Sequence, residues 1–207
     1  MHRVTVDAEH PNAAGIAAAV DVLRAGGIVA FPTDTLYGLA VDPRSEEAVA
    51  RLFALKGRDV RAAVPLIAAD LDQAKLAGEF GRRERRLAAA VWPGPVSIVI
   101  PPWPGVARGV FGEQKAIAIR VPAHAVARRL AAAFGFCVTA TSANAAGQPP
   151  AVSADAVGVA LPDVDFLLDA GDAPGGPPST IVAFDRDGPV LVRAGAIPWD
   201  RVLKSLQ

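Results

Sequence analysis

Hydroxyl and cationic side chains recur along this 207-residue chain at the ends of apolar runs. Thr33, Thr35 and Tyr37 follow Ile28-Val29-Ala30-Phe31, and Lys56 and Arg58 close an amphipathic stretch. Arg120 ends Ala116-Ile117-Ala118-Ile119, Ser142 and Asn144 follow Phe136–Ala140, Ser179 precedes Ile181-Val182-Ala183, and Arg193 ends Val190-Leu191-Val192. If those ends converge, they line a cleft with cations and hydroxyls and no evident nucleophile–base pair. Such a set suits anion binding and phosphoryl or nucleotidyl transfer, where catalysis is mainly positioning and charge stabilisation. Arginine can clamp a carboxylate or phosphate with two parallel bonds, whereas lysine acts as a point charge.

Other chemistries fit poorly. The histidines His2, His10 and His124 are scattered, and one cysteine, Cys137, allows neither an internal disulfide nor a cysteine-based metal site. Cys137 sits in Phe136-Cys137-Val138 without a cationic neighbour and reads as a buried structural thiol. There is no G-x-x-x-x-G-K-[ST] loop, no G-x-G-x-x-G turn and no nucleophile elbow. No metal ligand set is expected from the protein.

The elements that must position these residues follow from hydrophobic period and punctuation. Val4-Thr5-Val6 alternates like a strand, and Asn12–Ala25 carries Ile16, Ala19, Val20 and Leu23 at helical spacing before Gly26-Gly27. The run 28–31 reads as a strand covered on both faces, ended by Pro32 and followed by a polar loop to Gly38. Ser45 caps a helix with Glu46 and Glu47 in its first turn and Lys56-Gly57-Arg58 at its end. Beyond it the pattern predicts strands at 64–68, 96–100, 116–122, 136–140, 166–168, 181–184 and 190–193. Helices are predicted at 71–77, 82–91, 125–134 and 153–159, with Trp103–Lys115 a mobile loop and Gly171–Pro178 a loop. The expected architecture is α/β: a single domain over residues 1–207, with a twisted mixed parallel and antiparallel sheet flanked by helices.

Charge is balanced, with 21 basic and 21 acidic residues, so no global field recruits nucleic acid or a membrane. The one dense basic run, Arg82-Arg83-Glu84-Arg85-Arg86, reads as a solvated helix face rather than an RNA contact. The N-terminus lacks an apolar signal core, and no uncharged run reaches membrane-spanning length. A cytoplasmic protein without membrane contact is expected.

Seven blocks now stand in order: Pro32-Thr33-Asp34-Thr35-Leu36-Tyr37-Gly38-Leu39, Lys56-Gly57-Arg58, Trp92-Pro93-Gly94-Pro95, Arg120-Val121-Pro122, Ser142-Ala143-Asn144, Ser179-Thr180 and Arg193-Ala194-Gly195. In this order they resemble the YrdC family, over roughly residues 15–197, in its short bacterial form without an extra C-terminal domain. The resemblance implies a YrdC-like fold with a concave basic cleft. It also implies synthesis of threonylcarbamoyl-adenylate and pyrophosphate from L-threonine, bicarbonate (or CO2) and ATP, with Mg²⁺ accompanying ATP. The product would serve tRNA modification through downstream tRNA-threonylcarbamoyl transfer proteins, and direct tRNA contact is a further expectation. By similarity, Thr35, Arg120 and Ser179 would hold threonine, and Arg58, Ser142, Asn144 and Arg193 would contact ATP. Lys56 and Arg58 would be catalytic, and Thr33 and Tyr37 would shape the cleft. The resemblance implies that both Lys56 and Arg58 lie outside the core. Asp34 replaces a frequent Glu, and Ala68-Ala69 stands where many longer members have a histidine. Competing expectations are a non-enzymatic RNA-binding module and a YciO-like paralogue, in which the Lys-Gly-Arg and Ser-Ala-Asn blocks are degraded.

Overall fold

The structure, a computed structural model, describes residues 1–59 and 61–207. Short β-rich apolar runs form its strands: β1 (His2–Thr5), β2 (Val29–Pro32), β3 (Tyr37–Ala40), β4 (Leu66–Ile67), β5 (Val96–Ile100), β6 (Ile117–Arg120), β7 (Val138–Thr139), β8 (Thr141–Ser142), β9 (Phe166–Asp169), β10 (Thr180–Phe184) and β11 (Pro189–Arg193). The helices are α1 (Ala13–Arg24), α2 (Glu46–Lys56), α3 (Leu71–Ala74), α4 (Arg82–Val91), α5 (Arg108–Phe111), α6 (Ala125–Phe134), α7 (Ala154–Ala160) and α8 (Trp199–Lys204).

Local chemistry sets the long helices. The side chains of Asn12 and Ser45 accept from Gly15 N–H and Ala48 N–H, capping α1 and α2. Gly57, in the left-handed region at φ 58°, ends α2. Its N–H reaches Ala54 O and that of Arg58 reaches Phe53 O, so the chain turns sharply between Lys56 and Arg58.

Two mixed sheets replace the single sheet expected. One has the order β1-β9-β2-β3-β8 and the other β11-β10-β5-β6-β4-β7. β2 and β3 pair as an antiparallel hairpin from Val29↔Ala40 to Pro32↔Tyr37, so part of the expected polar loop is strand. Tyr37, Leu39 and Ala40 are fully buried, and the hydroxyl-rich turn is confined to 33–36. Within the expected 136–140 strand, β7 ends at Thr139 and β8 begins at Thr141. The chain therefore passes from the edge of the second sheet to the edge of the first across Ala140 alone.

The segment 103–115 also departs from a plain loop. It contains α5, Ala107 N–H donates to Pro43 O, and Val64 N–H donates to Val110 O. Two apolar clusters fill the interior. One contains Leu39, Leu52, Leu66, Ile98 and Val182, and the other packs α1 and α6 on Val29, Phe31 and Leu168.

Candidate active site

A cavity of about 200 Å³ opens where the two sheets meet. The first sheet and its turn supply Thr33, Thr35, Tyr37, Thr141 and Ser142; the second supplies Arg120, Ser179, Ile181 and Arg193; Arg58 enters from the end of α2. Eight of the ten site residues expected from the sequence thus line one space. Lys56 and Asn144 do not.

At one end lies a buried ion pair. Arg120 Nη1 donates to Asp34 Oδ1 at 2.7 Å, and Asp34 Oδ2 accepts from Ala123 N–H at 3.0 Å. Arg120 Nη2 reaches toward the Thr33 and Thr35 hydroxyls at 3.3 and 3.4 Å. Those hydroxyls are 3.1 Å apart, and that of Thr33 donates to Leu36 O at 2.7 Å, closing the turn on itself. Burial lowers the Arg120 pKa, and Asp34 opposes that shift. Half of this guanidinium is committed to Asp34 and half faces the hydroxyls.

Elsewhere on the lining Arg58 donates to Thr141 Oγ1 and to Ala63 O, both at 2.9 Å. Arg193 donates from Nε and Nη2 to Ser179 O, and from Nη2 to Ser179 Oγ at 3.1 Å. Burial lowers the pKa of Arg193, and repulsion from Arg120 and Arg58 lowers it further, so Arg193 feels both of the other guanidiniums.

Lys56 stands behind this wall. Its Nζ donates to Ser142 O, to Asn144 O at 2.6 Å and to Asn144 Oδ1 at 3.1 Å. Ser142 Oγ donates to the same Asn144 Oδ1 at 2.6 Å. The Lys56 carbonyl accepts from Ala146 N–H, so main chain and side chain together hold the 142–146 segment. Lys56 is 4% exposed, which overturns its expected place outside the core. Burial, and then repulsion from Arg58, lower its pKa to about 8.

Tyr37 shapes the wall with its ring, while its hydroxyl points away and donates to Gly171 O at 2.7 Å. Burial raises that phenol to about 12. Cys137 is fully buried and its thiol is likewise pushed up to about 12 by burial, in keeping with a structural role. Three site features escaped the sequence reading: Asp34 as the Arg120 partner, Thr141 as the Arg58 acceptor, and Ser97, whose Oγ lies 2.9 Å from Ser179 Oγ. Ser97 alternates with Val96 and Ile98 like any strand residue, and nothing local marks it.

Among the described residues no three His, Cys, Asp or Glu side chains gather as a metal site. Asp34, the acid paired with Arg120, has both oxygens engaged. This donor set does not fit a protein-held Mg²⁺. The basic run sits on the exposed face of α4, with Arg83 bonded to Asp185 O beyond the far end of β10. Thr180 opens β10 on the cavity side, so the run lies at the opposite end of that sheet from the site. No helix of the described residues is long and apolar enough to cross a membrane.

Fold and site together define an α/β protein whose two mixed sheets meet at a cavity lined by three arginines. Residues 21–195 match the Sua5/YciO/YrdC family model, described as "Telomere recombination". This chain belongs to that family. It is 44% identical over 169 residues to a threonylcarbamoyl-AMP synthase of Chromohalobacter salexigens, covering 80% of this chain and 90% of that one. Sua5 of P. abyssi, in a crystal structure with L-threonine, superposes with a TM-score of 0.93 at 31% identity over 99% of this chain. This chain spans 61% of the length of that protein. E. coli YciO has the same fold over all of both chains, with a TM-score of 0.87 at 24% identity.

Proposed function

We propose that the chain acts as one catalytic unit, a cytoplasmic nucleotidyltransferase. It converts L-threonine, bicarbonate (or CO2) and ATP to threonylcarbamoyl-AMP and pyrophosphate for tRNA modification. The observation that carries this reading is one cavity lined by three arginines and several hydroxyls, in a chain 44% identical to a synthase of this name. Arg120, Thr33 and Thr35 have the charge and hydroxyls to hold the carboxylate and side chain of threonine, and Ser179, which is bonded to Arg193, completes that pocket from the same lining. Arg58, Ser142 and Arg193 take the phosphates and nucleotide. Asn144, held by Lys56, supports Ser142 from behind. Counting Arg58, Arg120 and Arg193 against Asp34, the lining is cationic, which suits a substrate with several negative charges.

The threonine amine adds to CO2 and loses a proton, giving an N-carboxylate. One oxygen of that carboxylate attacks the α-phosphorus of ATP, the bond from that phosphorus to the bridging oxygen breaks, and pyrophosphate leaves. Arg58 and Arg193 stabilise charge on the α-phosphate and the departing oxygens, and the arginine-lined wall keeps them preorganised. Mg²⁺ carried by ATP, rather than held by protein ligands, would neutralise part of the triphosphate charge.

The test is pyrophosphate release from ATP with threonine and bicarbonate each omitted in turn. Release that needs both, with threonylcarbamoyl-AMP detected by mass spectrometry, is the expected result. Release indifferent to threonine would refute the reading.

A further inference from the structure

Ser97 is the second residue of β5, on the opposite face of the strand from Val96 and Ile98, and is fully buried. Among the described residues its hydroxyl has one partner, Ser179 Oγ at 2.9 Å. Ser179, 6% exposed, also accepts from Arg193 Nη2 at 3.1 Å. A serine oxygen can accept two hydrogen bonds and donate one. If Ser179 donated to Ser97, the Ser97 proton would be buried without an acceptor, which is strongly disfavoured. The satisfied arrangement has Ser97 donating to Ser179. Arg193 and Ser97 then occupy both acceptor positions of Ser179, and its own proton is left to point into the cavity it lines.

We infer that Ser97 is a positioning residue that makes Ser179 an obligate hydrogen-bond donor, so that this point of the cavity accepts an acceptor-only, anionic oxygen. That oxygen belongs to a carboxylate or a phosphate; an amide N–H at the same place is rejected, and a hydroxyl there must turn a lone pair toward Ser179. The inference rests on the synthase reading for the identity of the two ligands, L-threonine and ATP. It does not rest on that reading for the direction of the bond.

The variants Ser97→Ala and Ser97→Thr separate this role from packing. Alanine removes one oxygen from the buried site, while threonine keeps the donor. Calorimetric titration of L-threonine and of ATP, each alone, is expected to show one ligand bound roughly 5- to 10-fold more weakly by Ser97→Ala. Ser97→Thr recovers most of that loss, and thermal melting shows both variants folded. A loss confined to threonine names the carboxylate as the oxygen recognised, and a loss confined to ATP names a phosphate. Both affinities within twofold of wild type in Ser97→Ala would overturn the inference, as would equal losses in the two variants. Wild-type binding of both ligands without pyrophosphate release would refute the synthase reading alone. Wild-type binding of neither would refute both.

Discussion

Arg120 and Asp34 form an ion pair at 2.7 Å with side chains only 8% and 9% exposed. They come from different sheets, β6 and the turn after β2, so the pair ties the two walls of the cavity together. Breaking such a pair strands a buried charge. Asp34→Ala is expected to lower stability by about 3–5 kcal/mol, measured by urea unfolding. Arg120→Lys should keep the charge but lose the fork that serves Asp34 and the two threonines together, weakening threonine binding in titration.

Lys56 gives a pH signature. Its pKa falls from the ordinary lysine value of 10.5 to about 8 on folding. Between those values the unfolded chain binds more protons, so stability from this group rises with pH from about 8 toward 10.5 and is flat below. Urea midpoints at pH 7.5 and 9.5 should therefore show a rise in wild type that Lys56→Met lacks. Because Lys56 anchors Ser142 and Asn144, the same variant should also lose activity and show faster hydrogen exchange over 142–146.

Two glycines should behave differently. Nothing lies within 4 Å of a Cβ built at Gly57, so Gly57→Ala meets only the left-handed backbone and costs about 1 kcal/mol. At Gly195 a Cβ would come within 2.5 Å of Pro178 O, Ser179 C and Thr180 N, all backbone. Gly195→Ala must displace the segment that presents Ser179, and should cut pyrophosphate release more than tenfold while most of the fold survives. Steady-state rates beside thermal melts distinguish the two outcomes.

The arginines divide by location. Arg58→Ala removes a guanidinium from the cavity and is expected to slow pyrophosphate release by about a hundredfold or more. Arg82→Glu combined with Arg85→Glu reverses charges on the exposed face of α4, and the rate should stay within about twofold.

Much of this was legible because local signals and tertiary fate agreed. Ser45, the acidic first turn and Gly57 bracket α2 in the sequence as they do in space. The strand-end placement of Thr35, Arg120, Ser179 and Arg193 foretold a shared cavity. The hairpin partner β3 was hidden because Tyr37-Gly38 resembles the end of a turn, and burial against Phe31 and the cluster that contains Leu39 is not a local property. Lys56 looked solvent-bound since a lysine at a helix end usually is. Its three oxygen acceptors lie about 90 residues away in sequence, and only folding brings them there. Ser97 and Thr141 carry no sequence signal at all, because each acts through a residue on another element.

Ala140 is the single residue between the edges of the two sheets, and its N–H is fixed to Pro65 O at 2.8 Å. The sheets are also bonded directly beside it: Thr139 N–H donates to Val41 O, Thr139 Oγ1 donates to Leu39 O at 3.1 Å, and Val41 N–H donates to Thr139 Oγ1 at 2.9 Å. The seam is therefore a weld, and Thr141, one residue beyond it, holds Arg58 from a fixed point of the scaffold.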